Sequence, residues 1–85
     1  MKNVRVKRTE NQTYLNGDRV VEHSRMLCDN YQLVRTESDN DYNDRIYIWN
    51  LKTDNYTFLE AVIHGIYSRI NILANIMDNK KDRTL

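Results

Sequence analysis

The chain opens with alternation. Val4 and Val6 stand against Arg5 and Lys7, and side chains switch faces at each step along a strand, so the stretch predicts a β-strand. The next run, "TYLNGDRV", contains Asn16-Gly17, a strong tight-turn signal. Beyond it the pattern is ambiguous. As a return strand, "DRVVEHSRML" alternates poorly. As a helix capped by Asp18 it gathers Val20, Val21, Leu27 and Cys28, with Ser24 between them, and turns Arg19, Glu22 and Arg25 outward. The helix is the preferred reading for residues 18–29. Residues 31–36, "YQLVRT", and residues 45–51, "RIYIWNL", read as two strands of an antiparallel hairpin joined by a long polar loop.

From Thr57 the period becomes helical. "TFLE" has the form of a capping box, with Thr57 at the N-cap and Glu60 reaching back. Leu59, Ile63, Ile66, Ile70, Leu73 and Met77 follow at spacings of 4-3-4-3-4. That heptad-like stripe predicts a helix to about Met77, roughly 30 Å long at 1.5 Å per residue. The predicted fold is therefore a single α+β domain over residues 1–85. A small antiparallel sheet of three to four strands packs against one long C-terminal helix, with a short helix at 18–29.

Composition narrows the class. With 85 residues, 40% of them hydrophobic, there is room for one modest core and little for a buried catalytic cavity. The formal net charge is only +1, but its distribution is polarised. Lys2, Arg5, Lys7 and Arg8 crowd the first eight residues, while Glu37, Asp39, Asp41 and Asp44 crowd the loop at 37–44. The single cysteine, Cys28, forms no internal disulfide. No apolar run is long enough to span a membrane and the N-terminus carries no apolar signal region, so the expected compartment is the cytoplasm. Without such a signal, the sequons at 11–13 and 55–57 are read as chance.

The face opposite Ile46 and Ile48 gives the sharpest functional reading. If Val4, Val6, Ile46 and Ile48 all point to the core, the other sheet face gathers Arg5, Lys7, Arg35, Arg45, Tyr47 and Trp49, with Tyr31 beside them. Cations set among flat rings suit single-stranded RNA: the cations neutralise phosphates and the rings stack on bases at about 1–3 kcal/mol each. The competing reading covers this face with the short helix or a second subunit, making the rings core. Ile63, Ile66, Ile70 and Leu73 on the predicted long helix offer a homodimer interface as well as a sheet-packing stripe, since the apolar band is wider than a two-stranded seam.

Other chemistry is disfavoured. "DNDYNDRIYIWN" matches the start of a calcium loop at Asp39, Asp41 and Asn43, but Asp44 stands where the turn glycine belongs and Asn50 replaces the closing Glu. The favoured reading is a solvated loop able to engage a basic partner. His23 and His64 lie far apart with no ligand spacing around them, so no metal and no cofactor is expected. No nucleophile motif and no phosphate-cradling glycine loop is present, and the chain reads as non-enzymatic.

Short length, the bias toward Asn, Asp, Lys, Ile and Tyr, and the basic segment "VRVKR" make the chain resemble the small accessory proteins of T4-like phages. That resemblance implies a protein that blocks a host defence factor, such as a toxin ribonuclease, with RNA taking part. The competing expectations are a protein-only inhibitor or adaptor in which Tyr47 and Trp49 form an interface hot spot, and a structural dimerisation module built on the 59–77 helix.

Overall fold

A computed structural model describes residues 4–28, 30–39 and 42–83, with side chains described through Asp78. The expectations placed on Lys2 and Asp41 lie outside the described residues. Six antiparallel strands follow one another in sequence order: β1 (Val6–Arg8), β2 (Thr13–Leu15), β3 (Asp18–Cys28), β4 (Tyr31–Glu37), β5 (Asn43–Asn50) and β6 (Asn55–Ile63). Among the described residues one helix, α1 (Arg69–Arg83), follows them. The sheet curls into a half-barrel.

This corrects the α+β expectation of three to four strands under a long helix. Residues 18–29 do not form a helix, because β3 occupies Asp18–Cys28. The period of β3 misleads because its pairing with β4 slips three times, between Val20 and Glu22, His23 and Met26, and Met26 and Cys28. Each irregularity shifts the alternation, so the buried residues Val20, Ser24 and Leu27 fall at near-helical spacing. The predicted 57–77 helix is also half strand. Residues Asn55–Ile63 pair with β5, and a bulge opposite Ile46 and Tyr47 admits Leu59 as an extra residue. Tyr, Thr, Phe, Val and Ile in this run favour a pleated surface. Gly65, at φ +101, then turns the chain. Ser68 accepts the first helical hydrogen bond, from the Ile72 amide at 3.1 Å.

Other expectations hold. Asn16 and Gly17 both take positive φ in the β2–β3 turn, as a two-residue hairpin with right-handed twist requires. β4 and β5 pair in antiparallel register, with Arg35 opposite Ile46.

The sheet is buried on both faces. Leu27, Leu33, Ile46 and Val62 pack against Ile70, Leu73 and Ala74 of α1, forming the helix face. On the other side Leu15, Val20, Val34, Tyr47 and Tyr56 form a second core that takes in Val4 and Trp49. The β1–β2 hairpin folds over this inner face. Strand alternation accordingly divides "RIYIWN": Ile46 and Ile48 serve one core, Tyr47 and Trp49 the other.

Candidate binding slot between the edge strands

β1 and β6 are the two ends of the sheet, and among the described residues each pairs on one edge only. The curl brings them near each other across the inner face. Between them lies a cavity of about 820 Å³, within the usual range for ligand sites. Four consecutive residues of β6, Asn55 to Phe58, line one side, and Val4 and Val6 line the other. Arg45 and Tyr47 of β5 also line it, and Asn16 reaches it from the β2–β3 turn. Consecutive lining residues mean that strand backbone, as well as side chains, borders the slot.

A polar fastener beside it joins β1 to the β5–β6 turn and to β6. The Arg8 guanidinium donates through Nη2 to Asp54 Oδ1 at 2.7 Å and to the Tyr56 hydroxyl at 3.2 Å. The Trp49 indole donates to the same Asp54 oxygen at 2.9 Å. The Trp49 and Arg8 hydrogen bonds hold the Asp54 carboxyl below the usual carboxylate range. Burial pushes the Tyr47 and Tyr56 hydroxyls up. The Trp49 and Tyr56 rings are nearly parallel, 7° apart with centroids 5.5 Å apart, and His23 lies 5.8 Å from Trp49. The Tyr47 ring meets Phe58 edge to face at 5.8 Å. Phe58 remains half exposed at the slot, 51% accessible.

The six residues expected on one RNA-facing surface are divided. Arg45, Tyr47 and Trp49 share the inner face. Arg45 bonds Asp18 at 3.1 Å, Tyr47 is buried and Trp49 is flanked by Tyr56 and His23. Arg5 and Lys7 are exposed on the hairpin's opposite face, because it is Val6, partnered by Leu15, that turns inward. Arg35 lies on the helix face and is buried: its Nε donates to Asp44 Oδ2 at 2.8 Å and its Nη1 to the Ile66 carbonyl at 2.7 Å. The grouping assumed that Val4, Val6, Ile46 and Ile48 shared a side, whereas the valines face Tyr47 and the isoleucines face α1.

The residues expected at an oligomer interface divide too. Ile70 and Leu73 are buried against the sheet, while Ile63 at the end of β6 and Ile66 in the following turn are exposed. They do not form one helical stripe. Arg8, Asp54, Tyr56 and Phe58 were absent from the sequence-derived site. The alternation of Tyr56 and Phe58 beside the Asn-rich turn was the available signal, masked by the helical spacing that follows.

Comparison of the chain with family models, with curated proteins and with solved structures returns no match. No helix among the described residues is long and apolar enough to cross a membrane.

Proposed function

We propose that the chain is a non-enzymatic binding protein that takes an extended segment of a partner protein into the slot between β1 and β6, acting as an inhibitor or adaptor in the cytoplasm. The observation that carries this reading is the slot itself, bordered on both sides by edge strands. An edge offers unpaired amides and carbonyls to an incoming strand, and side-chain pockets beside it select the sequence. The charges at the slot favour a peptide over a polyanion. Arg8 is matched by Asp54 and Arg45 by Asp18. Phe58 presents an exposed ring to an apolar side chain of the segment. The likeness to small phage accessory proteins points to the same class, a compact blocker of a host factor.

The test starts from peptides selected out of a random display library on the intact protein. A selected peptide should protect the backbone amides of β1 and β6 from hydrogen exchange. Phe58→Asp should weaken it at least tenfold while leaving the thermal midpoint unchanged. Protection confined to α1, or full affinity in Phe58→Asp, overturns the reading.

A second reading is favoured by one observation. Among the described residues no carboxylate pairs with Arg5 or Lys7, and both are exposed beside Tyr14, on the outside of the β1–β2 hairpin. Single-stranded RNA would lie there, outside the slot. Two phosphate contacts predict log K falling against log salt with a slope of roughly −1.4, at about −0.7 per contact. The double variant Arg5→Glu, Lys7→Glu should then lose RNA binding and keep peptide binding. RNA affinity untouched by that variant removes the second reading.

A further inference from the structure

On the helix face, the side of the sheet opposite the slot, three strands bring their ends together. Glu37 ends β4, Asp44 lies near the start of β5, and His64 follows β6. One ligating atom from each lies within 4.8 Å of the other two. We propose that Glu37, Asp44 and His64 bind a divalent transition-metal ion, with zinc as the reference.

Three observations carry the proposal. The first is the donor set. Two carboxylates and an imidazole form a mixed oxygen and nitrogen site of the kind that zinc accepts, and the partial exposure of Glu37 and His64 leaves room for a water as fourth ligand. The second is geometry. His64 Nδ1 stands 3.3 Å from both Asp44 oxygens. A charge-assisted N–H···O bond is ordinarily shorter, about 2.7–2.9 Å. By contrast, donors on a tetrahedral zinc with bonds of about 2.0–2.1 Å stand roughly 3.4 Å apart. The His64–Asp44 separation matches an edge of that tetrahedron. Glu37, partly exposed, supplies the third donor, which lies within 4.8 Å of the other two.

The third observation is how Asp44 is held. Its side chain is 1% exposed and Arg35, equally buried, donates to Oδ2. Oδ1, which Arg35 does not engage, faces His64 Nδ1. An outer partner that orients a ligand carboxylate in this way is a regular part of metal sites. The Tyr67 ring stacks over Arg35, 4.9 Å from its Cζ, and meets His64 edge to face at 6.0 Å, walling the site on one side. The charges also balance toward a cation. The two carboxylates outweigh the single Arg35 guanidinium, and Arg19, 3.9 Å from Glu37, is closer to Asp39 at 3.3 Å.

The experiment is calorimetric titration of tag-free protein with zinc chloride, repeated with cobalt(II) to read its visible absorption. One equivalent should bind, and cobalt should give the intense bands of a four-coordinate site. His64→Ala and Glu37→Gln should each weaken binding at least tenfold, with the Trp49 emission on the opposite sheet face unchanged. His23→Ala should bind as the parent does. No binding at 100-fold excess zinc, or binding that survives His64→Ala, or binding that is lost in His23→Ala, overturns the proposal.

Discussion

Two arginines show how the same side chain does different work at different depths. Arg8 meets Asp54 in the open, where solvent screens the pair, so its value lies in geometry: it bridges β1 to β6. Arg35 meets Asp44 with both side chains 1% exposed. Taking two charges out of water is expensive, and the pair persists because nearly every group is satisfied: Nε on Asp44, Nη1 on the Ile66 carbonyl, and the Tyr67 ring over the guanidinium. Among the described residues Arg35 Nη2 has no hydrogen-bond partner, so little is held in reserve. Removing the carboxylate would leave a buried cation facing only a carbonyl and a ring. Asp44→Ala is therefore expected to cost about 3–5 kcal/mol in chemical denaturation. Arg8→Ala should leave the denaturation midpoint nearly unchanged and instead speed amide exchange in β1. Equal effects of the two substitutions on the midpoint would contradict this division.

At the scale of elements, the turn after β6 decides how the last third of the chain folds. Gly65 sits at φ +101 with nothing within 4 Å of where a Cβ would stand. Gly65→Ala thus tests backbone strain alone, and a loss of about 1–2 kcal/mol is expected from the left-handed conformation; no loss would mean that the turn adjusts at no cost. This glycine also explains what was legible in the sequence. The Asn16-Gly17 turn, the β4–β5 hairpin and the helix beyond Ile70 could be read because local pattern and final structure agree there. β3 and β6 could not, because both are bulged. A bulge inserts a residue and flips the following side chains, so Leu59 and Ile63 at a spacing of four imitate a helix while belonging to a strand. The slot was illegible for a related reason. Its residues come from β1, the β2–β3 turn, β5 and β6, and only the curl of the sheet brings them together. Single-strand alternation separated Tyr47 from Ile46 correctly but could not say that Val6 sides with Tyr47. The Glu37, Asp44 and His64 cluster has no local spacing at all, being assembled by register between three strands.

For the whole molecule, the consequence of a sheet buried on both faces is that two surface carboxylates fasten its layers. Glu60 of β6 receives both Arg69 hydrogen bonds, at 2.7 and 3.0 Å, and so ties the sheet to the first turn of α1. Asp54 receives Trp49 and Arg8, and so ties β1 across the inner face to the β5–β6 turn. The Arg69 hydrogen bonds hold the Glu60 carboxyl below its ordinary value, as those from Trp49 and then Arg8 hold Asp54. A carboxyl with a folded-state pKa below its unfolded value contributes stability that is present above the unfolded value and lost as pH falls through the folded one. The thermal midpoint is therefore expected to change little through these groups above about pH 5 and to decline below about pH 4, the ordinary carboxylate range. Asp54→Asn with Glu60→Gln should start from a lower midpoint at neutral pH and show a shallower acid decline. The two fasteners should also separate. Protection factors in β1 should drop with Asp54 protonation before those at the α1–sheet contact, because β1 has only three residues and, among the described residues, pairs with β2 alone. If β1 and α1 lose protection together, the hairpin is held by the inner core around Leu15 and Tyr47 rather than by Arg8.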